Sequence, residues 1–463
     1  MKTLALKVFS LFLFAFSLGA CAHFSGMNSQ QALSIGIFSA SILGTLFFWD
    51  FRLSFAFIGT AILLITNTID LEHIIEFSSL EVILFLIGMM VVIGLLKDSG
   101  AFAWIVSLIL RAPKLTGKKF VILITVLSAA LAATIDEVTS IIFVLAAILE
   151  ICEYFEVNPM PFMIISVLAT NIGSAATVLG NPIGILIASK SGLTFEDFIA
   201  KALPLSCACL LAIIPVFLFW YRKSIKHFTE QVNKFGANDI LIKLISIPAD
   251  KNLRISLWIF GIMLIFISLH HRLEVALGLP ANTVLLAVPL IVSGAVMIWK
   301  NHRARKFIEK DVEWWTLLFF LFLFIQAGTL KYTGATVFIA KNMIDATGNN
   351  QNLLISSMLW ISTIGSSILD NVVLVAAFIP VVQGFQALNM NLQPLWWALL
   401  FGGCLGGNIT LIGSTANIVA VGILEKEKKI KVNFLNWLGI GLTVGLITVL
   451  IVMAVLIFLP FYR

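Results

Sequence analysis

The sequence predicts an all-α, polytopic membrane protein built from two inverted-topology repeats, each with about five spanning helices, a re-entrant hairpin and a broken helix. Three observations carry this. First, the 463 residues are 60% hydrophobic and only 12% charged, with a mean hydropathy of +1.04, and their apolar runs are long enough to cross roughly 30 Å of hydrocarbon. Second, the chain contains itself twice. Leu96-Lys97-Asp98-Ser99-Gly100 returns as Leu330-Lys331-Tyr332-Thr333-Gly334, and Ile135-Asp136-Glu137-Val138 returns as Leu369-Asp370-Asn371-Val372, both 234 positions on. Thr177-Val178-Leu179-Gly180 returns as Thr410-Leu411-Ile412-Gly413 after 233 positions, so the register holds across half the chain. Third, loop charge changes sides between the two copies.

The elements follow in order. Residues 1–21 open with Met1-Lys2, an apolar run from Leu4 to Leu18 and the small residues Gly19-Ala20-Cys21, the layout of a signal peptide or of a first membrane helix. Cys21 also fits a lipoprotein signal. Repeat one, 31–221, supplies crossings at 33–49, 53–66, 80–96, 162–188 and 203–220. Between them, the run 121–149 lies between Arg111–Lys119, which is basic, and the loop 150–158, both read as being on one side. A run that leaves and returns on one side is a hairpin, and its apex falls near Asp136-Glu137. The linker 222–252 carries Arg222, Lys223, Lys226, Lys234, Lys243 and Lys251, which the positive-inside tendency puts in the cytoplasm.

Repeat two, 253–463, supplies crossings at 253–269, 282–299, 314–330, 395–424 and 437–459. Its loops 345–353 and 386–394 contain no Lys or Arg and should face outside, whereas 300–310 and 425–431 are basic and read as cytoplasmic. The second copy is therefore inverted relative to the first. The short apolar stretches 101–110 and 335–344 are expected to lie along the membrane surface. The excess charge of +6 belongs to these loops and does not indicate nucleic acid. The expected location is a cell membrane, either a bacterial inner membrane or an organelle membrane.

Chemistry should concentrate where polar residues interrupt apolar runs: 134–140, 171–184, 365–371 and 402–417. A carboxylate at the bilayer centre costs on the order of 3 kcal/mol, so Asp136, Glu137 and Asp370 call for a cation, a proton or a helix amino end. The structural alternative is that each acid caps the second arm of its hairpin, although one cap does not require two acids. Thr139 and Asn371 flank these acids. Asn171, Thr177, Gly180 and Asn181 interrupt one helix, and Asn408, Thr410, Gly413, Ser414, Thr415 and Asn417 interrupt its counterpart. Unwound backbone is tolerated at membrane depth only where it is buried or lines a cavity, and its free carbonyls can hold cations there. These fifteen residues are the candidate ion- or substrate-binding set.

Other classes find little support. Cys152, Cys207, Cys209 and Cys404 have no metal-ligand spacing, no His-Glu-x-x-His or Gly-x-Ser-x-Gly occurs, and no phosphate-binding loop marks an ATPase. An enzyme is not expected, nor a resident cofactor beyond sodium or a proton as coupling ion. The expected partners are a small inorganic ion and the lipid bilayer.

Leu369-Asp370-Asn371-Val372, the run from Trp396 through Asn408 to Asn417, and Asn171-Ile172-Gly173 with Thr177–Pro182 together resemble the ion transporter superfamily. This superfamily includes the ArsB/NhaD permeases, the pigmentation P protein and the citrate and dicarboxylate carriers. The resemblance covers most of the chain. It implies a homodimer in which a scaffold stays still while transport domains of hairpins and broken helices move as elevators. Two departures stand out: Asp136-Glu137 replaces the family's Asp-Asn, and Asn181-Pro182-Ile183-Gly184 replaces Asp-Pro-Pro-Asn. Acids at both apices favour sodium/proton antiport over arsenite or antimonite extrusion, over sodium-coupled anion transport and over a passive channel.

Overall fold

The computed structural model describes residues 2–48, 51–101, 104, 115–234, 250–348, 350–388 and 390–462. Repeat one runs α1 (Lys2–Phe24), α2 (Ser29–Phe47), α3 (Arg52–Ile65), α4 (Leu71–Phe77), α5 (Leu80–Asp98), α6 (Gly117–Thr134), α7 (Glu137–Tyr154), α8 (Met160–Ser174), α9 (Pro182–Ser191), α10 (Phe195–Trp220) and α11 (Arg222–Lys234). Repeat two runs α12 (Lys251–Ser268), α13 (His270–Leu277), α14 (Thr283–Trp299), α15 (Trp314–Tyr332), α16 (Ala335–Thr347), α17 (Gln351–Ile368), α18 (Asn371–Gly384), α19 (Gln393–Gly406), α20 (Thr415–Lys428) and α21 (Phe434–Phe458). Among the described residues there is no strand.

Among the described residues six helices, α5, α6, α10, α12, α15 and α21, are long and apolar enough to cross a membrane, and α14 makes a seventh with the segment Asn301–Asp311, which bends away from it by 103°. Helix α6 meets that length, yet it turns at Ile135-Asp136 and comes back as α7 packed against it, as a re-entrant hairpin should. Helices α17 and α18 repeat the arrangement around Leu369-Asp370. The two long apolar runs expected to break do so, α8 and α9 being separated by 175–181 and α19 and α20 by 407–414. Asn181 caps α9 through Gly184 N at 2.9 Å, with Pro182 in the first turn, where its missing N–H costs nothing.

Burial sorts the helices. Every residue from Pro161 to Ser174 and from Pro394 to Gly406 is buried, so α8 and α19 form the centre. Hairpin arms pack on them, α6 on α8 and α17 on α19, and α10 and α21 close the inner bundle. The flanking helices interlock across the repeats, α5 with α14 and α3 with α15. Apolar side chains such as Trp258, Ile265, Leu435, Leu450 and Phe458 stay exposed on α12 and α21, as helices facing lipid require. The stretch 335–344 forms α16. Its counterpart 101–110, and the linker from 235 to 249, lie outside the described residues apart from Ala101 and Trp104.

Candidate functional site

Each hairpin tip is fastened to the broken helix of its own repeat by the same hydrogen bond. Thr177 Oγ1 donates to the carbonyl of Ala133, and Thr410 Oγ1 donates to that of Ser367, the equivalent residue 234 positions on. Close helix approach makes this possible: a Cβ on Gly173 would sit 2.3 Å from Ala129 O, and one on Gly406 would sit 2.3 Å from Thr363 O. The loops are braced internally. Asn181 Nδ2 donates to Ser174 Oγ at 2.9 Å and to Cys404 Sγ at 3.1 Å, while Asn417 Nδ2 donates to Gly407 O at 2.7 Å and Thr410 O at 2.8 Å. Gly180 and Gly413 sit in those turns with no room for a side chain, a Cβ at Gly180 falling 2.2 Å from Ser174 O.

Across the repeats, Asn171 Nδ2 donates at 2.9 Å to both Asn408 Oδ1 and Asn417 Oδ1. That leaves Asn171 Oδ1 and Asn408 Nδ2, both buried, with no protein partner. Buried polar atoms in that condition are uncommon and mark a place where a ligand can complete the set.

The acids divide into two kinds. Asp136 caps α7, its Oδ1 accepting from Val138 N and Thr139 N at 2.8 Å each, and Asp370 caps α18 by accepting from Val372 N at 3.1 Å. Asp370 also accepts from Thr415 Oγ1 at 2.6 Å. Glu137 caps nothing. Asn371 Nδ2 donates to its two oxygens at 3.2 and 3.4 Å, and Ser414 Oγ lies 3.5 Å from Oε1. Positions 137 and 371 are equivalent, 234 apart, so their contact lies on the pseudo-twofold axis between the two hairpin tips. Glu137 is 2% exposed, and among the described residues no Lys, Arg or His forms an ion pair with it, with Asp136 or with Asp370.

A cavity of about 200 Å³ reaches this point. Asp136, Glu137, Thr139, Asn181 and Thr415 line its deep end, and Lys97, Lys310, Asp311 and Glu313 line its mouth. The mouth is on the face of the basic loop 300–310, since neighbouring Asp98 binds Arg303 and takes Lys306 Nζ at 2.9 Å. A pseudo-symmetric cavity of about 220 Å³ opens on the opposite face beside Gly328 and Lys331, the equivalents of Gly94 and Lys97. It ends along α18 at Ala376, Ile379 and Gln383, short of Asp370 and Asn371. A third cavity, about 240 Å³ and mostly apolar, touches Asp370 from the side of α2. The hairpin-tip site is thus open toward the basic-loop face and closed from the other.

The closed face carries a contact that sequence reading missed. Lys190 Nζ on α9 meets Glu81 Oε1 on α5 at 2.9 Å, with Ser189 Oγ donating to the same oxygen at 3.1 Å. Isolated acids and lysines near helix ends carry no sequence signal of pairing. The bridge ties inner bundle to flanking helix, so sliding of one past the other must break it. Partly exposed pairs contribute up to about 1 kcal/mol. Glu81→Gln is therefore expected to lower the weight of the arrangement seen here by up to about fivefold, read as spin-label distances between the ends of α5 and α9. An unaltered distance distribution would remove the bridge as a determinant.

The comparisons with known proteins agree with this architecture. A family model described as citrate transporter matches residues 45–402. An uncharacterized transporter of Mycobacterium tuberculosis is 30% identical over 75% of this chain and 78% of its own length. The human P protein is 26% identical over 79% of this chain and 52% of its own length. Among solved structures, the YdaH transporter of Alcanivorax borkumensis superposes with a TM-score of 0.55 at 12% identity, over 83% of this chain and 86% of that one, a likeness of fold. The chain therefore belongs to the citrate transporter family within the ion transporter superfamily, and it is a multi-pass secondary membrane transporter, not an enzyme.

Proposed function

We propose that the protein exchanges a small monovalent cation, sodium first, for protons, carrying both at the hairpin tips while the inner bundle slides past the flanking helices as an elevator. One observation carries the reading: Glu137 is buried on the pseudo-axis, excluded from helix capping, and contacted by an amide and a hydroxyl but no cationic side chain. Desolvation makes a bare carboxylate costly at such a place. The group therefore holds either a proton or a cation, and two ligands competing for one carboxylate are thereby coupled. The unpaired Asn171 Oδ1 and the backbone carbonyls of the unwound stretches 175–181 and 407–414 offer the further oxygens that a hard cation prefers.

A second reading is sodium-coupled uptake of a carboxylate anion. The family description favours it, as does a cavity with room for far more than one bare ion. In that case sodium would have to bridge the anion to the acidic tips.

Acid-loaded vesicles containing the protein separate the two. Sodium or lithium added alone is expected to drive proton efflux, whereas citrate or arsenite alone is not. Dissipation of the pH gradient only when citrate or arsenite is supplied would overturn the exchange reading.

A further inference from the structure

The two cavities on opposite faces are built from equivalent scaffold positions, but their charge is not equivalent. At the mouth of the open cavity stand Lys310, Asp311 and Glu313; 234 positions earlier, at the closed one, stand Glu76, Phe77 and Ser79. The substitution is local. Asp311 packs on Gly94, where a Cβ would lie 3.0 Å from its Oδ2, and Phe77 packs its ring on the equivalent Gly328. The Asp311 side chain is 10% exposed and lies 4.0 Å from Lys97 Nζ, a long contact for an ion pair. Glu313 occupies the N-cap position of α15 without capping it, so helix termination does not explain its carboxyl. Thr316 Oγ1 donates to it at 3.4 Å. Facing these two acids are Lys97 and Lys310 at the mouth and Asp136 and Glu137 within, so the open cavity is lined by four carboxylates and two ammonium groups, and behind Glu313 the buried Arg52 donates to Thr316 Oγ1 at 3.4 Å. The opposite cavity holds Glu76 against Lys190 and Lys331.

From this asymmetry we infer that Asp311 and Glu313 are a scaffold-borne cation-concentrating pair that sets the apparent affinity for the transported cation on the basic-loop face alone. The inference deepens the exchange reading and rests on it. The carboxylates of this cleft outnumber its ammonium groups four to two, and the Lys97 side chain is 63% exposed where that of Asp311 is 10% exposed, so the net negative potential inside raises the local concentration of cations and the rate at which they are captured. Fixed to the flanking helices, the pair faces the hairpin tips in the arrangement described here. It would no longer serve them once the site opened to the other side, where Phe77 and Ser79 offer no charge and Glu76 stands against Lys190 and Lys331.

The test is sodium/proton exchange in proteoliposomes of known orientation, with the KM for sodium measured from each face. The double variant Asp311→Asn/Glu313→Gln is expected to raise KM from the basic-loop face roughly tenfold at low ionic strength, with kcat and the KM from the opposite face unchanged. The effect should shrink as salt screens the mouth. Lys310→Gln, which removes positive charge from the same mouth, is expected to shift KM the other way, and this keeps the test decisive should the double variant fold poorly. A KM shift equal on both faces, or none in either variant while wild type exchanges sodium for protons, overturns the inference and leaves the exchange reading standing. A wild type that exchanges neither sodium nor lithium overturns both.

Discussion

Glu137→Gln is expected to abolish sodium-driven proton movement, lowering the exchange rate at least about 100-fold, while the protein folds and inserts normally. The substitution keeps the shape and keeps an acceptor for Asn371 Nδ2 and Ser414 Oγ, so the contact on the pseudo-axis survives. What disappears is the ionisable oxygen, and with it the competition between proton and cation. A 100-fold loss corresponds to about 2.7 kcal/mol, well within the difference between a charged and a neutral ligand at a buried site. Asp136→Asn supplies the contrast. An amide oxygen can still accept from Val138 N and Thr139 N, and Asn is as good an N-cap as Asp. That variant should retain most of the exchange. Proton flux in reconstituted vesicles, with protein amount fixed by quantitative blotting, decides between the acids. If Glu137→Gln exchanges as wild type does and Asp136→Asn does not, the adjacent residue carries the proton.

The hairpins and broken helices were legible because polar residues recurring at a fixed offset within apolar runs have few explanations in a membrane. Leu369-Asp370-Asn371-Val372 and the Thr-to-Asn stretches mark the tips and the breaks in the sequence itself. Their detailed roles were less visible. Thr177 and Thr410 look like ligands in sequence, but each hydroxyl ties a loop to a hairpin carbonyl. Capping, the structural alternative for the acids, describes Asp136 and Asp370, and only Glu137 stands outside it. That Glu137 touches its own repeat partner could not be seen, because an offset gives equivalence and not proximity. Ser174 and Cys404 pass for small core residues, yet both receive hydrogen bonds from Asn181. Asp311 and Glu313 sit in a charged connecting stretch whose default reading is a solvated loop; their place in the cavity depends on the 103° bend after α14.

Gly173→Ala and Gly406→Ala are expected to separate hairpin from broken helix and stop transport. A single added carbon at Gly173 would lie 2.3 Å from Ala129 O and 2.4 Å from its Cα, and at Gly406 it would lie 2.3 Å from Thr363 O and 2.8 Å from its Cα. The obstructing atoms are backbone, so no rotamer can relieve the clash. The helices must part by about 1 Å, at a cost typical of overpacking, about 1–3 kcal/mol. Close approach over small residues is how helices gain attraction in a bilayer, where no hydrophobic effect drives them together. Separation would also pull Thr177 from Ala133, or Thr410 from Ser367, and so misplace a tip that must present Glu137 to Asn371. Melting temperature in detergent should fall for both variants, and exchange should drop at least tenfold. Gly422→Ala, in α20, is the matched control: nothing lies within 4 Å of its Cβ position, and replacing a helical Gly with Ala in open space is worth up to about 1 kcal/mol of stability. The pairing of outcomes matters more than either alone. A Gly173→Ala protein that melts and transports like wild type would mean that the tip is not held by this contact, and the pseudo-axis site built on it would have to be redrawn.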